Sequence, residues 1–186
     1  MRKVIGVTGL MGSGKSYAMS IFCDICRKEN IVATFINVDD VRRKILDDAN
    51  VDRIALNQII YDDPQAMDNY RRFINPKIRK YLLEEIHKSD GFVFIEWALL
   101  IEDKLFDLCD FLLITCCDEN IQFNRLMGGD LTKESVLKRL KLQSSLKDKM
   151  RMLNSFNCPY FLLDTSSNPP ISSYTDFLTY EVCIYE

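Results

Sequence analysis

The chain has 186 residues, of which 47% are apolar and 27% charged, with a formal net charge of −3. Such a make-up fits a globular protein with one substantial core, and it argues against a broad cationic surface able to neutralise nucleic-acid phosphates. No apolar run approaches the ~20 residues of a membrane span and the N-terminus has no signal-peptide layout, so a cytoplasmic protein without a membrane partner is expected.

The first predicted element is a buried strand, Val4-Ile5-Gly6-Val7-Thr8, short, apolar and rich in β-branched residues. It runs into Gly9-Leu10-Met11-Gly12-Ser13-Gly14-Lys15-Ser16, which fits the phosphate-binding pattern G-x-x-x-x-G-K-S/T without a mismatch. Ala18, Met19, Ile21, Phe22, Ile25 and Cys26 then recur at helical spacing. Strand, glycine loop and helix in that order let backbone N–H groups curl around an anion at a helix N-terminus. Lys15 is expected as an exposed cation reaching the β- and γ-phosphates of a nucleoside triphosphate, and the Ser16 hydroxyl as a ligand of Mg²⁺. Residues 9–16, with Tyr17 beside them, form the expected nucleotide-binding set.

A second strand is predicted over Ile31–Ile36, followed directly by Asp39 and Asp40. A carboxylate there faces the γ-phosphate across the cleft and can accept the proton of an attacking hydroxyl. Asp39 is assigned that role, and Asp40 the capping of the next helix. Helical stretches follow over Asp39–Leu46 and Asp52–Lys88, the second broken near Pro64 and Pro76. They are too long for a simple crossover and point to a helical subdomain at about residues 40–90.

A third strand, Gly91–Ile95, ends at Glu96, a candidate ligand of Mg²⁺ through its water shell; the fourth and fifth cover Phe111–Thr115 and Tyr160–Leu163. Near-continuous apolar strands alternating with helices predict an α/β fold: three layers around a five-stranded parallel sheet, with ligands bound along the edge where the strands end. Pro169-Pro170 close this domain, leaving Ile171–Glu186 as a tail that either packs as a last helix or docks on a partner.

Basic side chains gather at Arg42-Arg43-Lys44, at Arg71-Arg72 with Lys77 and Arg79, and at Arg125 with Lys138, Arg139 and Lys141. Arginine forks of this kind stabilise the charge of phosphoryl transfer. The seven cysteines are an odd number, and the single histidine, His87, sits on a polar helix segment. Cys23 and Cys26 share one helix face and Cys116 and Cys117 point to opposite sides of a strand, so small buried hydrophobes are expected rather than a zinc site.

Over roughly residues 3–165 this ordered series of motifs resembles the dephospho-CoA kinases, which share the P-loop kinase fold. Ile5-Gly6-Val7-Thr8-Gly9 into Gly12-Ser13-Gly14-Lys15-Ser16 is similar to the family's V-G-L-T-G-G-I-G-S-G-K-S. Ile36-Asn37-Val38-Asp39-Asp40-Val41-Arg42-Arg43 resembles I-D-A-D-x-I-A-R, placing Asp39 on the family's presumed catalytic aspartate. Asp52-Arg53, Asp63-Pro64-Gln65-Ala66 and Asn75-Pro76-Lys77-Ile78-Arg79 follow D-R, D-P-x-A and H-P-x-I-R. Glu96-Trp97-Ala98-Leu99-Leu100-Ile101-Glu102 is similar to D-x-P-L-L-x-E, and Arg125-Leu126-Met127 with Lys138-Arg139-Leu140 and Gln143 to the lid and its following helix. The chain departs from the family at Asn37, Asn75, Glu96 and Ala98, at Gly129 where a lid arginine is usual, and in a shorter segment between Leu46 and Asp52.

The resemblance implies transfer of phosphate from ATP, with Mg²⁺, to the ribose 3′-hydroxyl of dephospho-CoA. It gives catalytic roles to Lys15, Asp39 and Arg139, a donor contact to Arg125, and acceptor contacts to Asp39, Arg72, Arg79, Glu96 and Leu99. A kinase domain over 1–168, a short lid at about 125–135, and a monomer or weak homo-oligomer complete the expectation. The alternatives are a kinase for another small nucleotide, such as a deoxynucleoside monophosphate, and a nucleotide-binding regulator of low turnover.

Overall fold

A computed structural model describes residues 2–60, 63–128, 132–141 and 143–181, without the side chains of residues 139, 141, 180 and 181. Five strands, β1 (Lys3–Gly9), β2 (Ala33–Asn37), β3 (Phe92–Glu96), β4 (Phe111–Cys116) and β5 (Tyr160–Asp164), form one sheet in the order β2-β3-β1-β4-β5. Every pairing is parallel; Val7 lies beside Glu96, and Gly9 beside Thr115. The strands therefore end together along one edge, where the predicted site residues follow them.

Alternation along the strands divides the core into two layers. Val4, Ile36, Val93, Ile95, Leu112 and Ile114 face one layer, shared with α2 (Val38–Asp48), α4 (Pro64–Lys88) and α7 (Leu146–Ser155). Ile5, Val7, Phe94, Leu113 and Leu163 face the other, covered by α1 (Lys15–Lys28) and α8 (Ile171–Asp176). The remaining α-helices are α3 (Arg53–Ile60), α5 (Glu119–Met127) and α6 (Lys133–Lys141), with a 3-10 turn at Phe106–Leu108 and a π-helical turn at Phe177–Glu181.

Three expectations about the elements change. The tail is part of the second core layer: Tyr174 and Phe177 are 1% exposed, with ring centroids 5.4 and 5.7 Å from that of Phe22. Pro76 does not break the helix, which runs unbroken from Pro64 to Lys88. An interior proline costs about 3 kcal/mol of helix stability, and burial of Ile74, Ile78, Leu82 and Ile86 along one face offsets it. Pro64 does mark a boundary, at the first turn of α4, where its missing N–H is harmless; Asp63 caps that turn by accepting from the Gln65 N–H.

The third change concerns α2. It starts at Val38, and its cap is Asn37, whose side-chain oxygen accepts from the Asp39 N–H at 2.9 Å. Asp40 is therefore not the cap; it lies inside the first turn and pairs with Arg43 at 2.8 Å on the exposed face.

Candidate active site

The loop between β1 and α1 is held open by its glycines. Gly9, Gly12 and Gly14 have φ of 140°, 79° and 88°, and a Cβ on Gly9 would collide with the Thr115 carbonyl. Other elements fix its course. The Ser13 and Thr115 hydroxyls share a hydrogen bond of 2.6 Å, and the Thr165 hydroxyl donates to the Ser13 carbonyl at 2.8 Å. Gln122 donates to the Met11 carbonyl at 2.7 Å, while the Met11 N–H donates to Gln143 at 2.8 Å. A loop so tied keeps its N–H groups in place before any anion arrives, which reduces the ordering cost of binding.

Lys15 leads α1 and donates from Nζ to the Gly9 and Leu10 carbonyls at 3.2 and 2.9 Å. It is partly buried, not the exposed cation that the sequence suggested. Burial lowers its pKa to about 8, against the opposing pull of Glu96.

Ser16 donates to Glu96 Oε1 at 2.7 Å, and the Asn37 amide donates to Glu96 Oε2 at 3.1 Å. Two of the departures from the family pattern thus meet. The longer Glu96 reaches Ser16 from the end of β3, and the neutral amide at 37 donates where a second carboxylate would repel. Asp39 is half-exposed at the same edge, its Oδ1 3.3 Å from Arg42. Arg42 also reaches the Tyr70 hydroxyl at 3.4 Å, tying α2 to α4. Lys15, Ser16, Asn37, Asp39 and Glu96 line one cleft of about 450 Å³, whose far wall is built by α4 and the loop after β3.

A match to the dephospho-CoA kinase family model extends over residues 29–156 of the chain. The chain belongs to the dephospho-CoA kinase family. A dephospho-CoA kinase of Idiomarina loihiensis is 30% identical over 81% of this chain and 83% of its own length. Another, from Fusobacterium nucleatum, is 29% identical over 80% of this chain and 84% of its own length. Among solved structures, a Thermus thermophilus protein superposes with a TM-score of 0.78 at 19% identity, covering 100% of this chain and 98% of that one. Deoxyadenosine kinase from M. mycoides, with bound dATP, matches at a TM-score of 0.55 and 13% identity, covering 95% and 97%. These two likenesses concern the fold, a P-loop kinase architecture.

Against this dephospho-CoA kinase frame, the other predicted residues divide. Leu99 lines the cleft. Arg125, with Gly14 and Tyr17, lines a second cavity of about 420 Å³ that shares Gly12, Lys15 and Ser16 with the cleft. Its guanidinium donates to the Thr165 carbonyl at 2.6 Å and the Thr165 hydroxyl at 3.0 Å. Arg72 is exposed and does not line the cleft. Arg79 is held at 2.8 Å by both oxygens of Asp107, and it too is absent from the lining. Gly129 and the side chain of Arg139 lie outside the described residues.

Sequence reasoning overlooked Thr115 and Thr165, which pin the loop from strand ends across the sheet; a hydroxyl at the close of an apolar strand was their only signal. Gln143 stood out only as part of a motif. Six described cysteines are free thiols, Cys26 buried among them, and Cys183 lies outside the described residues. No group of three His, Cys, Asp or Glu side chains able to hold a metal occurs among the described residues. No helix there is long and apolar enough to cross a membrane.

Proposed function

We propose that the protein phosphorylates the ribose 3′-hydroxyl of dephospho-CoA at the expense of ATP, releasing CoA and ADP. Family membership gives the reaction. The observation that carries it to this chain is the cleft in which Lys15, Ser16, Asp39 and Glu96 converge beside a wall able to hold an acceptor.

The loop N–H groups and Lys15 hold the β- and γ-phosphates, with Tyr17 and Arg125 on the donor side. Asp39 accepts the proton of the 3′-hydroxyl as its oxygen bonds to the γ-phosphorus and the bond to the departing ADP oxygen breaks. Arg139 stabilises the equatorial oxygens and closes over the donor with Arg125, and Leu99 contributes to the acceptor wall. Ser16 and Glu96 offer hard oxygen donors on one side only, as suits Mg²⁺, which keeps waters and substrate phosphates as its other ligands. When bound there, Mg²⁺ would neutralise charge on the β- and γ-phosphates. The reading makes the protein a cytoplasmic monomer or weak homo-oligomer without a nucleic-acid partner.

The test is a coupled assay pairing ATP and Mg²⁺ with dephospho-CoA and with each nucleoside monophosphate. Dephospho-CoA should be phosphorylated, with a raised KM relative to the curated relatives because the α2–α3 connection is short. Turnover of dTMP but not of dephospho-CoA would replace the acceptor. Tight ATP binding with slow turnover on every acceptor would make the protein a regulator.

A further inference from the structure

Along α4, Arg71, Asn75 and Arg79 recur every fourth residue and so share one helix face. That face meets the loop after β3. Asn75 donates to Asp103 Oδ1 at 3.1 Å, and Arg79 is bound by both oxygens of Asp107 at 2.8 Å. Arg71 differs from Arg79 in being free to do more. Its Nε lies 3.8 Å from Asp103, too far for a hydrogen bond, and its side chain is 35% exposed. Among the described residues its guanidinium makes no hydrogen bond, and it lines the cleft that Arg72 and Arg79 do not.

Asp103 is built to hold a direction. Its side chain is 3% exposed, and it accepts from the Trp97 indole N–H at 2.9 Å as well as from Asn75. With those bonds made, its charge faces Arg71, which is drawn along the cleft wall while its donors stay available. Trp97, Ile74 and Leu99 give that part of the cleft apolar surface. A fixed fork of donors above an apolar floor suits an oxyanion carried on a largely organic molecule.

We propose that Arg71, steered by Asp103, binds the 5′-diphosphate of the acceptor. The proposal rests on the kinase reading above and names the acceptor-side cation of the same site. Arg71 is the binding residue. Asp103 is a positioning residue acting through it.

The experiment compares the wild type with Arg71→Ala, Arg71→Lys and Asp103→Asn, all checked for folding by circular dichroism. Steady-state kinetics give KM for dephospho-CoA and for ATP. Emission of Trp97, the one tryptophan of the chain, reports dephospho-CoA binding with a non-hydrolysable ATP analogue on the donor side. Arg71→Ala should raise KM and Kd for dephospho-CoA about tenfold or more, the loss of one charge-assisted hydrogen bond. kcat should stay within about threefold and KM for ATP should not move, the pattern of a contact made equally in ground and transition states. The rise of KM with added salt should flatten, a change that a purely structural arginine would not cause. Arg71→Lys should recover part of the affinity, and Asp103→Asn should fall between wild type and Arg71→Ala. An unchanged KM and Kd in Arg71→Ala would overturn the inference, and a wild-type KM in Asp103→Asn would overturn the steering. Lack of wild-type turnover on dephospho-CoA counts against the kinase reading, while the Trp97 arm still decides this one.

Discussion

Lys149 and Glu102 form a buried ion pair whose loss should be the most damaging single change away from the cleft. Lys149 has no exposed side-chain surface and Glu102 is 10% exposed, with Nζ 2.7 Å from both carboxylate oxygens. The ammonium also donates to the Ala98 carbonyl at 3.0 Å, and Glu102 accepts from the Ser144 N–H at 3.1 Å. One pair thus joins α7 to the loop after β3 and to the chain leaving α6, next to the Gln143 that holds Met11. Glu102→Leu leaves the ammonium in place without its counter-charge, and Lys149→Met strands the carboxylate. Breaking such a pair costs about 3–5 kcal/mol, because the remaining charge is buried and uncompensated. For a chain of this size that corresponds to a fall in Tm of roughly 6–20 °C. The double variant Lys149→Met/Glu102→Leu should recover most of the loss, since desolvation already offsets much of the attraction within the pair. Urea unfolding of all four proteins gives the coupling energy directly. Single variants within about 1 kcal/mol of wild type would show that Lys149 is far better solvated than its burial implies.

The other outcomes concern the cleft and its edge. Lys15→Ala should abolish phosphoryl transfer with the fold intact; wild-type turnover by the folded variant would remove this loop from catalysis. Because burial lowers the Lys15 pKa to about 8, kcat/KM for ATP should fall as pH rises through that value and the cation is lost. Lys15→Arg should remove that limb, since arginine stays charged there. The same lowered pKa means that the unfolded state binds more protons between about pH 8 and the ordinary lysine range, so this group makes stability rise with pH in that window. Asp39→Asn should reduce kcat on the order of 10²-fold with a smaller change in ATP affinity. Asp40→Asn, which breaks only the exposed pair with Arg43, should alter stability by under about 1 kcal/mol; if it slowed catalysis and Asp39→Asn did not, the base would be misassigned.

Charge clusters in the sequence name candidates without saying which way each points, and the basic run at Arg71-Arg72 shows why. The resemblance gave the acceptor contact to Arg72, yet neighbours on a helix project about 100° apart, and it is Arg71 that lines the cleft. Ile74 and Ile78 mark the buried stripe of α4, and Arg71, three residues before the first and seven before the second, lies along it. That periodic signal was present. It separates Arg71 from Arg72 but not from Arg79, which shares the face and differs because Asp107 holds both of its terminal nitrogens. No local pattern carries that pairing, 28 residues apart, nor the one between Lys149 and Glu102, 47 apart. What could be read early was set by neighbours in sequence: the glycine loop between strand and helix, the apolar strands, and Asp39 and Glu96 just beyond strand ends. The tail stood open between a last helix and a docking segment: Tyr174, Phe177 and Leu178 fall at helical spacing, but only the folded sheet supplies the surface that buries all three. Asn37 was the hardest case. Its two roles, capping α2 with its oxygen and bonding Glu96 with its nitrogen, need an amide and no other group. That requirement appears only once β2 and β3 lie side by side, with Asn37 in register with Glu96. The substitution that looked in the sequence like a lost carboxylate is, in the folded chain, the one that lets Glu96 stand at the phosphate loop.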